Sequence, residues 1–315
     1  MKFERSTSAM VEAALVALIV TVLVLTIGYI PLVSYLMIFM PTMFSVVWIR
    51  RGRHYGILSV VVSSILSFTL GFPAEGFFTI AYGGLVAGFM SEGIRNNLKA
   101  SQTILLGAVG AAFSSVLILS ATELVTGIGL TQIFTEAIAE TKVLFETAQF
   151  DPEMVTQLDE QMDLMILNMQ NMLPFILIMS GLFMSSINHW AIRNGLRRVR
   201  YDVPPAGLFR DFELPRNVFL GSMIMMLLSW FTGVLGLSNS EILFLNVLMI
   251  VVLVFSIQGA SVAIFFMYHY KFPRPAVVAM TVGIVLFYSV LQFPLFILGM
   301  LETIINLRGR MKLNA

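Results

Sequence analysis

Four glutamates lie in or beside apolar stretches of this sequence, where a carboxylate could do chemistry. They are Glu12, Glu123, Glu241 and Glu302. An acidic group in the middle of a membrane helix is costly and usually serves proton or ion coupling. Each of these four falls nearer an end of its apolar stretch, within reach of interfacial water. The pattern therefore disfavours an ion-coupled carrier.

Motifs for enzyme catalysis are absent from the sequence. It contains no His-Glu-x-x-His zinc motif, no Gly-x-Ser-x-Gly turn and no Gly-x-x-x-x-Gly-Lys phosphate loop. The lack of cysteine excludes disulfides, cysteine zinc sites and cysteine nucleophiles. His54, His189 and His269 lie in three different segments, which favours interfacial anchors over a ligand set. We expect no enzyme activity, no catalytic residue, no metal and no cofactor.

The composition shows which elements must position these side chains. Of 315 residues, 58% are hydrophobic and only 12% are charged, about half the charged fraction of a soluble domain. Several apolar runs reach the roughly 20 residues that cross a bilayer as helix. The sequence predicts an all-α integral membrane protein, a polytopic helical bundle of about 9–10 transmembrane helices. The segments are about 8–30, 32–49, 55–72, 76–92, 102–128, 165–192, 217–237, 241–269, 275–292 and 294–307.

The basic residues orient this bundle. With the N-terminus in the cytoplasm, every lysine and arginine except Lys142 falls on the inner side, as the positive-inside rule requires. Ten crossings fit this distribution, whereas nine would place the basic C-terminal tail outside. The alternative is that residues 275–307 form one long tilted helix. Pro41 is expected to kink the second segment, so that a neighbouring group must satisfy the freed carbonyl.

Two connections differ from the other loops. Residues 129–164 are acidic with apolar residues at helical spacing, which predicts an extracellular helical hairpin. Residues 193–216 form a predicted basic cytoplasmic loop, either anchored on anionic lipid or docking a soluble partner. The candidate contact residues in this loop are Arg197, Arg198, Arg200, Phe209, Arg210, Phe212 and Arg216.

Small residues recur at steps of four along the first segment, at Ala9, Ala13 and Ala17. Small side chains at this spacing let two helix backbones approach closely. We expect a helix partner for this face, either inside the protein or on another subunit. Glu12 lies beside the face near the inner end, where it can reach water or pair with a basic residue.

Five stretches resemble the YybS-like family of bacterial membrane proteins, and the resemblance covers nearly the whole chain. They are "TSAMVEAALVALIV" (7–20), "PTMFSVVWIRRGRHYG" (41–56), "FRDFELPR" (209–216), "NVLMIVVLVFSIQGASVAIFF" (246–266) and "GMLETIINLRGR" (299–310). The resemblance implies a multi-pass protein of the bacterial cell membrane, with the lipid bilayer and not nucleic acid as its partner.

Residues 1–192 further resemble the substrate-binding S components of energy-coupling-factor vitamin transporters, which are six-helix bundles. That resemblance implies an S-component-like domain over 1–192, followed by about four membrane segments within 217–315. It also implies that a membrane coupling subunit docks on Ala9, Ala13 and Ala17, with an ATPase supplied in trans. A solute site would lie on the outer side; its candidate residues are Tyr29, Tyr35, Glu75, Phe77, Phe78 and Glu123.

Two functions are compatible with these features. The first is a non-enzymatic, S-component-like subunit that binds a small solute for uptake with partner subunits. The alternative is a membrane scaffold or regulatory subunit in envelope or sporulation assembly, with no transported ligand. The same superfamily resemblance extends to scaffolds of the cell-shape machinery, so the expected fold does not choose between them.

Overall fold

The computed structural model describes residues 7–147, 152–201, 203 and 207–313, and these residues fold into helices. The chain divides into two compact units, residues 1–206 and 207–315. The first unit contains α1 (Thr7–Tyr29), α2 (Met40–Arg51), α3 (Arg53–Thr69), α4 (Pro73–Phe78), α5 (Leu85–Arg95), α6 (Ala100–Thr126), α7 (Leu130–Thr147), α8 (Pro152–Asn171) and α9 (Leu173–Arg198). The second contains α10 (Arg216–Val234), α11 (Ser240–His269), α12 (Arg274–Leu286), α13 (Tyr288–Ile305) and α14 (Leu307–Leu313).

Eight helices of the described chain are long and apolar enough to cross a membrane. This confirms a polytopic all-α membrane protein. The expected nine to ten crossings included two segments that are shorter as helices: α3 has 17 residues and α12 has 13. At about 1.5 Å per residue, α12 extends only about 20 Å. The break that precedes α13 lies at Phe287, and Pro294 lies inside α13, although the sequence placed the break next to Pro294.

The connections on either side of α9 also differ in part from expectation. Residues 129–164 do contain two helices, α7 and most of α8, which pack against each other. The predicted basic loop 193–216, however, begins too early, because α9 continues to Arg198. Arginine is a good helix former, and a basic side chain in the last turn interacts favourably with the helix dipole. Arg197 and Arg198 are therefore helical residues.

The alanine face of α1 lies in the interior of the first unit. Ala9, Ala13 and Ala17 are only 2%, 1% and 1% exposed. Helix α1 packs mainly against α3, with further contacts to α2. Helix α3 buries small residues of its own, Ser59 and Ser63, so the two backbones can approach closely. The face therefore has a partner inside the chain.

Pro41 lies at the change from a 3-10 helix, Pro31–Phe39, to the regular α2, in which it is the second residue. In 3-10 geometry the Ile38 carbonyl would accept from the nitrogen of Pro41, which has no hydrogen. Asn188 Nδ2 on α9 donates to this carbonyl at 2.9 Å, and the Tyr82 hydroxyl donates at 3.3 Å. Thr42 Oγ1 donates to Asn188 Oδ1 at 2.8 Å. Neighbouring side chains thus satisfy the carbonyl that Pro41 leaves free, as the sequence predicted.

The second unit is centred on the crossing of α11 and α13, which pack against each other more than any other helix pair. At this crossing, a Cβ on Gly259 would overlap the carbonyl oxygen of Leu295, and a Cβ on Gly299 would overlap that of Phe255. Only glycine permits backbones to pack this closely. Phe255 fills the adjacent core with edge-on contacts to Phe219 and Phe296.

Candidate functional site

The most highly connected polar site that the described residues form is centred on Arg308, a buried side chain in the second unit. Helix α13 ends at Ile305, and the next residue, Asn306, adopts the left-handed conformation at φ 54°. Asparagine tolerates that conformation, and it reverses the chain into α14. The reversal brings Arg308 back against Glu302 in the last turn of α13. Arg308 Nε and Glu302 Oε1 are 2.8 Å apart, with side chains 1% and 3% exposed.

Four guanidinium hydrogen bonds hold Arg308 in place. Besides Nε, one terminal nitrogen donates to the carbonyl of Arg210 at 2.9 Å and to Ser261 Oγ at 3.2 Å. The other donates to the carbonyl of Phe212 at 2.9 Å. A planar guanidinium presents five N–H donors in a fixed fork, so most of its capacity is committed here. Arg308 therefore uses most of its donors on backbone and side-chain groups of its own chain.

Helix α11 supplies two more polar contacts to the same segment. The Ser261 hydroxyl lies within donating distance of the Phe209 carbonyl, 2.7 Å, and of the Phe212 carbonyl, 3.0 Å. Gln258 Oε1 accepts from the backbone N–H of Leu214 at 3.1 Å. Arg308, Glu302, Ser261 and Gln258 are called the Arg308 node below. The node fixes the backbone of residues 209–216, the docking segment.

The docking segment exposes some of its side chains, whereas others lie against the rest of the unit. Phe209 is 47% exposed, and its ring lies parallel to that of Phe212 with centroids 6.5 Å apart. Asp211 is exposed, and Glu213 is 56% exposed although its Oε1 lies 3.9 Å from Arg308 Nε, at the edge of ion-pair distance. Arg210 instead folds back, with its guanidinium carbon 4.4 Å from the centre of the Tyr268 ring. The outward surface of the docking segment therefore combines an aromatic ring with two carboxylates and the exposed Arg216.

Three of the five stretches that carry the family resemblance meet at this node. The docking segment is "FRDFELPR", Gln258 and Ser261 belong to residues 246–266, and Glu302 with Arg308 belongs to 299–310. Sequence reasoning placed Glu302 near a helix end but missed Arg308, since residues six apart do not share a helix face. The available signal was Asn306, a residue type that often caps helix C-termini.

In the first unit, the turn between α2 and α3 is held by two carboxylates. Glu12 on α1 pairs with Arg50, and its other oxygen accepts from Arg51 Nε at 2.6 Å. Glu92 on α5 accepts from Arg53 at 2.7 Å and 2.9 Å. Trp48 Nε1 also donates to Glu92, at 2.9 Å. Glu12 thus pairs with basic residues, one of the roles expected for it, and the two carboxylates offset two of the three positive charges of this turn.

The six candidate solute residues occupy different environments. Tyr29 and Tyr35 are exposed, at 83% and 69%, and Glu123 is also exposed. Glu75 and Phe77 are half-buried, whereas Phe78 packs between two apolar core clusters and lies 5.1 Å from the Tyr82 ring, centre to centre. These contacts place Phe78 in the core. The solute site itself stays a prediction.

Comparisons with known proteins agree with this architecture. A family model described as "Predicted membrane protein (DUF2232)" matches residues 18–303. The chain is 24% identical to "Uncharacterized protein YybS" of Bacillus subtilis (strain 168), over 98% of this chain and all of that protein. These matches confirm the YybS-like resemblance, and with the eight apolar helices they identify a multi-pass bacterial membrane protein. No solved structure matches, so the likeness to S components stays a prediction. The chain belongs to the DUF2232 family of membrane proteins.

Proposed function

We propose that this protein is a non-enzymatic membrane scaffold or regulatory subunit whose docking segment binds a soluble partner on the cytoplasmic side. One observation carries the proposal: the Arg308 node fixes the backbone of the docking segment while Phe209, Asp211 and Glu213 remain exposed. The cytoplasmic location follows the orientation that the basic residues predict.

The node has the properties of a support for recognition. Ordering a loop on binding costs free energy, so a segment already held in one conformation binds more tightly. Burying an ion pair is itself expensive and contributes little net stability compared with apolar packing. A buried Arg308–Glu302 pair is therefore better explained by the defined shape it imposes on residues 209–216 than by the stability it contributes.

The exposed side chains indicate the chemistry of the partner. Phe209 offers an aromatic anchor, a kind of residue that often dominates binding energy. Asp211 and Glu213 flank it with negative charge, which is complementary to a basic surface. The segment carries two arginines and two carboxylates, so it has no net positive charge that would hold it on an anionic leaflet. The docking segment therefore suits a protein partner that has an apolar pocket beside cationic residues.

Uptake of a small solute with a coupling subunit and an ATPase is the other hypothesis, and it derives from the S-component resemblance. The expected coupling surface, Ala9, Ala13 and Ala17, is covered by the chain's own helices. A coupling subunit would thus have to dock on another face of α1, such as the exposed Leu15 and Leu18. The scaffold function does not require a coupling subunit to dock on α1.

Site-specific photo-cross-linking in the native host tests the proposal. A photoreactive residue at Asp211 is expected to give one discrete adduct with a soluble protein. The control position is Glu241, an exposed carboxylate in the first turn of α11, which the same orientation places on the outer side and which is expected to give no such adduct. Phe209→Ala leaves the backbone contacts of the node in place and should abolish the adduct at 211. Equal adducts at 211 and 241, or an adduct insensitive to Phe209→Ala, would contradict the proposal.

A further inference from the structure

A groove of about 700 Å³ runs along the last turns of α9 in the first unit. Its lining includes Phe39, which directly precedes α2, and Trp190, Asn194, Arg197 and Arg198 on α9. The Trp190 side chain is 62% exposed although its helix crosses the membrane. The groove therefore opens toward lipid and is not an internal cavity.

The groove is apolar at one end and basic at the other. Along α9, Trp190 and Arg198 are separated by about 12 Å, at 1.5 Å per residue. Phe39 lies about 16 Å along α2 from its basic end at Arg50, well inside the membrane by the same geometry. Asn194 lies between the aromatic and basic ends and adds an amide. This polarity matches one phospholipid molecule, with its headgroup at the arginines and its acyl chains beside the aromatic rings.

Among the described residues, neither arginine of the groove has a carboxylate partner. In the neighbouring turn, Arg50 and Arg51 pair with Glu12, and Arg53 pairs with Glu92. In the part of the chain that the structure describes, no carboxylate lies within ion-pair distance of Arg197 or Arg198. Basic pockets between membrane helices on the cytoplasmic side bind anionic headgroups.

We propose that this groove is a binding site for a single phospholipid with an anionic headgroup. The phosphate lies between Arg197 and Arg198, and one acyl chain runs along Trp190 toward Phe39. Tryptophan suits this position because its ring packs against acyl chains while its N–H reaches the polar interface. The site belongs to the first unit and is independent of the docking segment.

Native mass spectrometry of the full-length protein in a neutral detergent tests the site. Phosphatidylglycerol and phosphatidylcholine are added at equal concentration, together or singly. We expect one bound phosphatidylglycerol per chain, in preference to phosphatidylcholine. Each basic residue near an anionic group contributes about fivefold in binding, so Arg197→Ala with Arg198→Ala should weaken phosphatidylglycerol binding by roughly 30-fold.

Matched variants separate a specific site from general attraction. Lys271→Ala with Arg274→Ala also removes two exposed cations and should leave binding unchanged. Arg197→Lys with Arg198→Lys keeps the charge and should retain the preference. Trp190→Ala should weaken the binding of phosphatidylglycerol and of phosphatidylcholine to the same extent.

Three outcomes would overturn the proposal. The first is the same phosphatidylglycerol preference in the Arg197→Ala, Arg198→Ala variant as in the wild type. The second is an equal loss in the Lys271→Ala, Arg274→Ala control. The third is binding of glycerol 3-phosphate as tight as that of the lipid, because it would assign the groove to a soluble phosphate.

Discussion

Arg308 Nε lies 2.8 Å from Glu302 Oε1, and both side chains are buried at the reversal between α13 and α14. The same guanidinium binds the carbonyls of Arg210 and Phe212, nearly a hundred residues earlier in the chain. One side chain therefore joins the C-terminal end of the protein to the docking segment. The conformation of that segment depends on a residue outside it.

Removing Arg308 should loosen the docking segment and destabilise the second unit. Arg308→Met leaves Glu302 buried without its partner, which costs about 3–5 kcal/mol when a buried pair is broken from one side. We expect a lower melting temperature in detergent and faster proteolysis near residues 208–214. The double variant Arg308→Met, Glu302→Leu should lower the melting temperature less than Arg308→Met alone, because no buried charge remains unpaired. An unchanged melting temperature in the single variant would contradict this role.

A bulky residue on the alanine face should act on folding and not on a partner subunit. Ala13→Leu adds three carbons to a fully buried contact, and overpacking of this kind typically costs about 1–3 kcal/mol. Ala14→Leu is the matched control, since Ala14 is exposed on the same helix. Thermal unfolding of the purified protein should separate the two variants. Equal stability, with loss of a bound subunit in Ala13→Leu alone, would support external docking instead.

Asn188 should stabilise the first unit by donating a hydrogen bond to the carbonyl that Pro41 leaves free. Asn188→Leu removes the shorter of the two hydrogen bonds to the Ile38 carbonyl and leaves the Thr42 hydroxyl without its partner, a loss of about 1–3 kcal/mol in unfolding free energy. Pro41→Ala restores a backbone N–H near Ile38. The double variant should therefore lose less unfolding free energy than the sum of the losses in the two single variants. Thermal unfolding measures this cycle. Strict additivity would show that the two sites are independent.

The two ends of α6 report membrane orientation directly, because the protein has no cysteine. Lys99 directly precedes this helix and Thr126 is its last residue, and both are exposed. The positive-inside rule predicts that Lys99 faces the cytoplasm. A membrane-impermeant maleimide should label Thr126→Cys in intact cells and Lys99→Cys only after permeabilisation. Labelling of Lys99→Cys in intact cells, and of Thr126→Cys only after permeabilisation, would show that the protein has the opposite orientation.

Much of the membrane architecture was predictable, because apolar length and proline placement act locally. The Pro41 break and its satisfied carbonyl follow from the missing N–H of proline. The α12–α13 break at Phe287 was not predicted, since Pro294 is tolerated inside α13. Proline within a membrane helix is tolerated when surrounding groups satisfy the freed carbonyl. Local signals therefore predicted the helices better than their exact ends.

The candidate site was less predictable, because its contacts join distant parts of the chain. Periodicity showed that Ala9, Ala13 and Ala17 form a face, but not which helix covers it. Arg308 has no helical spacing to Arg210 or Phe212, so only the folded chain shows their contact. The sequence also counted Arg210 toward a basic surface, whereas it folds onto Tyr268.

Native mass spectrometry of the protein gently purified from its host membranes tests the central claim most directly. The account predicts a complex with a soluble protein that is lost in Phe209→Ala and retained in a Glu241→Ala control. Apart from the bound phospholipid, it predicts no stoichiometric small molecule, and it predicts no bound ATPase. A solute bound one per chain, together with coupling and ATPase subunits that survive Phe209→Ala, would contradict the scaffold function and establish transport.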